Sequence, residues 1–253
     1  MYRNNLLKRK LAAGESTSGI WVTLADASVA EIAVELALDW IVIDAEHGHL
    51  DFGDVANHLR AVKNTPVTAL VRIQEIEQGL IKRMLDIGAE GLLIPQIETA
   101  ADVAQAVKFA KYPPQGVRGV GVERSTKWGL DLLGGTARAN DETLIIPFIE
   151  TVAAADCVDE ILAVPGIDAL FFGPADFSAS SGFLGKWTEP AVMARMLQVQ
   201  ARVRAQKIPC GIFTTSPQDA RLRREQGFQM VGLGTDAGML IRGIQQAQQA
   251  LGQ

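Results

Sequence analysis

Cysteine and histidine are both scarce in this chain, two and three residues among 253. Cys157 and Cys210 form no metal-like pair, which excludes a disulfide scaffold and suits a reducing compartment. The cytoplasm is the expected location. No apolar run reaches the ~18–20 residues that cross a bilayer. The basic start MYRNNLLKRKLAAG has no apolar stretch of the kind a signal peptide carries. A basic block is also missing, with Lys and Arg at 24 against Asp and Glu at 29, so no nucleic-acid footprint is expected. Glycine and proline follow no collagen-like period. What is present is a 48% hydrophobic, 21% charged composition, too apolar for disorder and long enough for a large core. The length admits one or two domains, and a (β/α)8 barrel takes ~250 residues as one.

The apolar content falls into short, β-branched runs at 19–24, 40–44, 67–73, 91–95, 143–149, 169–173, 209–213 and 229–233. Runs apolar almost throughout are the mark of parallel strands covered on both faces. Helical spacing occupies 28–38, 52–64, 78–87, 100–111, 153–163, 190–206, 217–226 and 239–251. Thr99 and Ser216 read as caps, the latter with Pro217 at the first helical position. Eight alternating units call for right-handed crossovers and a closed α/β barrel, a (β/α)8 TIM barrel spanning 1–253 as one domain. An open doubly wound sheet usually has a glycine-rich first turn, and LADAS has no glycine. The one long connection, 112–142, carries YPPQGVRGVG and a predicted short helix near 128–133.

Barrel active sites lie at the C-terminal ends of the strands. The second strand ends in DAEHGH, placing Asp44, Glu46, His47 and His49 at the rim. The third ends at Arg72, the fourth at Gln96 and Glu98, the fifth at Glu150. The sixth leads to Asp176 through GPAD, and the eighth to Asp236. Converging carboxylates repel one another, and a hard divalent cation is their natural partner. A single acidic residue after a strand is commonly a helix cap, a reading that suits Glu98 and Asp236. Asp44, three residues before His47, could orient its imidazole. His49 reads as rim or solvent, and His58, inside a helix, as structural. Arg72 has two open readings, a structural salt bridge or a contact to a substrate carboxylate or ketone oxygen. Imine chemistry needs a strand lysine in the pocket, and none of the nine lysines falls on a strand. A phosphate cup at Gly232, Gly234 and Gly238 is disfavoured by Asp236 among them.

Taken together, WIVIDAEHG, VRI, IKRMLDIGAEGLLIPQIETA, AKYPPQGVRGVG, IPFIET and DALFFGPADFSAS resemble the HpcH/HpaI aldolase family, from about Gly19 to Gly243. These are class II, metal-dependent aldolases acting on 2-keto acids. The resemblance implies that Glu150 and Asp176 hold a divalent metal ion, Mg2+, Mn2+ or Co2+. It gives Arg72 the carbonyl oxygen and the enolate. His47, oriented by Asp44, would act through a water on the metal as base toward the C4 hydroxyl. Glu46 would stand behind these groups, and Trp21 would wall the pocket. Backbone around Gly173, Ala175 and Asp176 would take the substrate carboxylate. Arg124, in ERSTKWG, matches a family arginine near the aldehyde end.

The implied reaction is reversible cleavage of a 4-hydroxy-2-keto acid to pyruvate and an aldehyde. Two departures bear on specificity: Phe148 stands where some members have glutamine, and the segment between Gly121 and Arg124 is shorter. Members form hexamers of paired trimers, with the last helix packed on a neighbouring subunit, here 239–251. One rival is an acyl-CoA lyase of the citrate lyase β-subunit type, which wants a basic groove not found here. Another is a non-catalytic keto-acid-binding barrel. Oxaloacetate-type decarboxylation is an expected side activity of the same site. Partners are small molecules and further copies of the chain, with neither nucleic acid nor membrane.

Overall fold

A period of two organises the barrel. The computed structural model describes residues 4–252, so positions 1–3 and 253 of the expected domain lie outside it. The apolar runs form β1 (Thr17–Val22), β2 (Trp40–Asp44), β3 (Thr68–Arg72), β4 (Gly91–Ile94), β5 (Leu144–Ile149), β6 (Leu170–Phe172), β7 (Cys210–Phe213) and β8 (Met230–Thr235). Each strand pairs in parallel with the next, and β8 returns to β1 to close the barrel in chain order. This is the expected (β/α)8 TIM barrel. Alternate residues face opposite ways. Ile41, Ile43, Val71, Ile94 and Ile145 pack outward in the layer beneath the helices. Trp40, Val42, Leu70, Leu93, Ile146 and Phe171 form a second cluster that fills the barrel.

That filling is strongly aromatic. The Trp21 ring lies 5.8 Å from Trp40 and 5.1 Å from Phe213, both nearly perpendicular, and 5.0 Å from Phe171. Such bulk fits because inward positions on neighbouring strands are glycine. A Cβ on Gly19 would lie 2.2 Å from the Trp40 ring and 2.3 Å from its carbonyl oxygen. The backbone oxygen cannot swing aside. Gly19→Ala is therefore expected to cost at least about 1–3 kcal/mol, read as a lower urea midpoint at unchanged slope. An unchanged midpoint would show that the interior has slack.

The helices are α1 (Leu6–Ala12), α2 (Ser28–Glu35), α3 (Phe52–Ala61), α4 (Gln78–Asp86), α5 (Ala100–Ala110), α6 (Leu132–Glu142), α7 (Val152–Asp156), α8 (Val158–Leu162), α9 (Pro174–Ser180), α10 (Pro190–Ala205), α11 (Pro217–Glu225) and α12 (Asp236–Ala250). Thr99 and Ser216 cap α5 and α11 as the sequence suggests. The helix expected over 153–163 is two pieces, broken where Cys157 leaves helical geometry. The short helix near 128–133 is displaced: Lys127 and Trp128 take positive φ, and α6 starts only at Leu132. Helix α1 lies outside the eight helical segments that the sequence periodicity marks. Its Leu7 and Leu11 join the interior cluster. Asn5 donates to the carbonyls of Glu90 and Glu142, just ahead of β4 and β5, while Lys8 pairs with Asp168 ahead of β6. The basic N-terminal segment thus plugs the barrel at the strands' N-terminal ends, leaving the other end open. No helix among the described residues is long and apolar enough to cross a membrane.

Candidate active site

The alternation that packs the barrel also delivers its chemistry. Trp40 and Val42 are followed inward by Asp44, Thr68 and Leu70 by Arg72, Ile146 and Phe148 by Glu150, and Phe171 by Gly173. A cavity of about 310 Å³ opens there, lined by Trp21, Asp44, His47, Arg72, Phe148, Gly173, Pro174, Ala175, Asp176, Phe213 and Thr235.

Arg72 is the centre of the polar wall. Its Nε donates to Asp44 Oδ1 at 3.0 Å and its Nη2 to Oδ2 at 2.5 Å, while Nη1 lies 3.0 Å from Glu46 Oε2. Burial opposes the guanidinium charge, but the Asp44 hydrogen bonds and the nearby carboxylates outweigh it and raise its pKa. A guanidinium carries five N–H groups. Two are hydrogen-bonded, both to Asp44, while the Nη1 contact with Glu46 is an ion pair without a hydrogen bond, which leaves donors on both terminal nitrogens. Both open readings of Arg72 are therefore compatible: it is salt-bridged and still has donors for an oxygen in the cavity.

The expected contact between Asp44 and the His47 imidazole is not formed. Besides Arg72, Asp44 Oδ1 accepts the backbone N–H groups of Glu46 and His47, each at 3.2 Å. Oδ1 thus takes three donors and Oδ2 one, all from the backbone turn and Arg72 rather than from the ring. Asp44 orients His47 through the backbone turn, and the imidazole stands 65% exposed, its Nε2 3.9 Å from Glu46 Oε2.

Glu150 is buried, and its Oε1 accepts the Gln96 backbone N–H at 2.6 Å. Burial pushes its pKa up to about 7 against that hydrogen bond, helped by the Glu46 and Asp176 carboxylates. A Cβ on Gly173 would come within 3.1 Å of Glu150 Oε2, so glycine is what leaves this oxygen its place. Asp176 lies in the first turn of α9, where a helix favours negative charge. A carboxylate whose charge is this costly, with a second one near it, fits a hard cation. Among the described residues no three His, Cys, Asp or Glu groups converge on one point. A pair of carboxylates leaves the remaining positions to water and substrate, a pattern usual for Mg2+.

Trp21, Gly173 and Ala175 line the cavity as expected. Arg124 does not reach it. Its Nη2 donates to Leu59 O at 2.8 Å, in a separate small cavity with Ala69 and Glu90. Those residues lie at the N-terminal ends of β3 and β4, across the barrel from the site. The last carbonyls of α3 attract a cation there. Glu98 stays outside the cavity lining, and Asp236 grips the end of β1 by accepting from Thr23 and Leu24. His58 is fully buried with Nε2 3.0 Å from Leu24 O, the structural role expected of it. Three wall residues went unrecognised: Pro174, Phe213 and Thr235. Inward phase on β7 could have found Phe213. Thr235 is turned inward by a register shift beside Gly234 (φ +122°), which no pattern in the sequence announces.

A model of the HpcH/HpaI aldolase/citrate lyase family matches residues 17–243. A hydroxypyruvate/pyruvate aldolase of Sagittula stellata is 38% identical over 93% of each chain. A 5-keto-4-deoxy-D-glucarate aldolase of Salmonella arizonae is 36% identical over 95% of this chain and 94% of its own. The crystal structure of an HpcH/HpaI aldolase/citrate lyase family protein from Burkholderia cenocepacia superposes with a TM-score of 0.95 at 36% identity, over 99% of this chain and 100% of that one. Motif order, barrel and relatives agree, and the chain belongs to the HpcH/HpaI aldolase/citrate lyase family of carbon–carbon lyases.

Proposed function

We propose that the protein reversibly cleaves a 4-hydroxy-2-keto acid to pyruvate and an aldehyde, with a divalent cation held by Glu150 and Asp176. The observation that carries this reading is the meeting of Arg72, Glu150 and Asp176 at one barrel mouth. In the cleavage direction His47 takes the C4 hydroxyl proton, and the C3–C4 bond breaks as the aldehyde carbonyl forms. The electron pair moves onto the C2–C3 bond, and negative charge develops on the ketone oxygen. The Arg72 N–H groups not taken by Asp44 stabilise that charge, with the Asp44 hydrogen bonds and the Glu46 ion pair fixing the guanidinium beforehand. Protonation at C3 then releases pyruvate. Mg2+, Mn2+ or Co2+ at Glu150 and Asp176 supplies Lewis-acid polarisation of the keto acid and offsets the local carboxylate charge. Backbone amides around Gly173, Ala175 and Asp176 take the keto-acid carboxylate, and Trp21 walls the pocket.

The reading treats 1–253 as one barrel domain in the cytoplasm, where the free thiols of Cys157 and Cys210 persist. It also takes the protein as a homo-oligomer, a hexamer or trimer, because α12 leaves Leu240, Ile241 and Ile244 exposed. The site is tested at His47, whose exposed side chain leaves packing unaffected by its removal. His47→Ala is expected to lower kcat by at least about 10²-fold, with cation binding unchanged by calorimetry. Wild-type turnover in that variant removes His47 as the base.

A further inference from the structure

The carboxylate of Glu150 depends on one donor. Among the described residues only the Gln96 backbone N–H hydrogen-bonds it, to Oε1 at 2.6 Å, which leaves Oε2 on the Gly173 side of the cavity. So short a contact to a carboxylate is of the strong, charge-assisted kind. An unusual backbone sets its direction. Gln96 lies just past β4 at φ +52°, in the left-handed region that residues other than glycine and asparagine seldom adopt. Ala37, Asn64 and Lys207 share that sign of φ, but each follows a helix end, where a left-handed residue is the ordinary stop. Gln96 is the one non-glycine residue of positive φ, among those described, that follows a strand. The chain around it holds that conformation in place. Pro95 and Ile97 on either side are buried, Ile97 O accepts the Thr151 hydroxyl at 3.0 Å, and Glu98 O accepts the Cys157 thiol at 3.1 Å. The angle φ is the rotation about N–Cα, so with the following chain fixed it decides where the Gln96 N–H points. The exposed Gln96 side chain reaches Glu46 only at 3.4 Å, a long hydrogen bond, so the backbone carries the effect.

We propose that Gln96 is a positioning residue: its left-handed backbone aims an N–H at Glu150 Oε1 and so presents Oε2 to the divalent cation. The proposal rests on the reading of Glu150 as a ligand of that cation. Calorimetric titration of Mn2+ into the metal-free protein, without substrate, tests it. Gln96→Val is expected to weaken Mn2+ binding by at least about tenfold, because a β-branched residue resists positive φ and the N–H swings away. Gln96→Gly and Gln96→Asn suit that φ, keep the N–H and are expected to bind within about threefold of wild type. A role for the side chain would instead weaken both of these variants as well. Thermal melts of the metal-free proteins show whether each variant folds, and Gln96→Thr, also β-branched, takes the place of a valine variant that does not. Wild-type affinity in the β-branched variant overturns the proposal, and so does equal weakening in the glycine, asparagine and β-branched variants. Undiminished Mn2+ binding by Glu150→Gln, or none by the wild-type protein, overturns the reading of Glu150 on which the proposal rests.

Discussion

Arg72→Lys is expected to lower aldol turnover by about 10²–10³-fold, with the loss in kcat rather than KM. The charge is conserved in this variant, and the geometry is not. Arg72 holds both oxygens of Asp44, approaches Glu46 at 3.0 Å and still has N–H donors on both terminal nitrogens. An ammonium is a compact point charge with three donors and cannot make the planar two-point contact with Asp44. Satisfying Asp44 and Glu46 would leave it little for a developing oxyanion. Asp44 also shapes the Glu46–His47 turn through two backbone N–H groups, so a looser Asp44 displaces the proposed base as well. Steady-state kinetics with pyruvate and a panel of aldehydes check the prediction. A lysine variant within a few-fold of wild type would mean that Arg72 is only a structural ion pair.

The second large effect has opposite signs in two assays. Glu150→Gln is expected to abolish cation binding and yet to stabilise the metal-free protein above neutral pH. The folded-state pKa of Glu150 is about 7 against an ordinary 4.5. The folded protein therefore holds this proton more tightly than the unfolded chain does. Stability from this group is present below about pH 4.5, falls as pH rises toward 7, and is fully lost above that. At about 1.4 kcal/mol per pH unit the loss is roughly 3 kcal/mol. Glutamine can still accept the Gln96 N–H and carries no charge to desolvate, so the loss disappears. Thermal melts at pH 8 should show the metal-free variant above metal-free wild type. Mg2+ should then raise the wild-type Tm alone. A variant that melts lower when metal-free, or that still responds to Mg2+, contradicts the assignment of Glu150.

The barrel was legible because one physical rule governs it: strands buried on both faces read as continuous apolar runs. The same phase carried Asp44, Arg72 and Glu150 to the mouth, which is why strand-end residues located the site. Contacts decided by competing partners were not legible. The three-residue spacing of Asp44 and His47 suggests a ring contact, but Asp44 Oδ1 takes the two backbone amides and Arg72, and the imidazole stands out in solvent. Helix α1 leaves no local signal because its partners, Glu142 and Asp168, lie far along the chain. Arg124 was placed by motif alone, and the left-handed turn at Lys127 and Trp128 belongs to a segment folded toward the opposite end of the barrel. Phe148 was visible as a departure from the family pattern, and the structure gives it a definite place, between Arg72 and the aromatic interior.

The central claim is a cation-dependent pyruvate enolisation built on Glu150, Asp176 and Arg72. Exchange of the pyruvate methyl protons before and after exhaustive chelation tests it most directly. The account predicts that exchange ceases in the metal-free protein and returns on adding Mg2+, Mn2+ or Co2+ to wild type but not to Glu150→Gln. Exchange at the full rate in metal-free wild-type protein would contradict it.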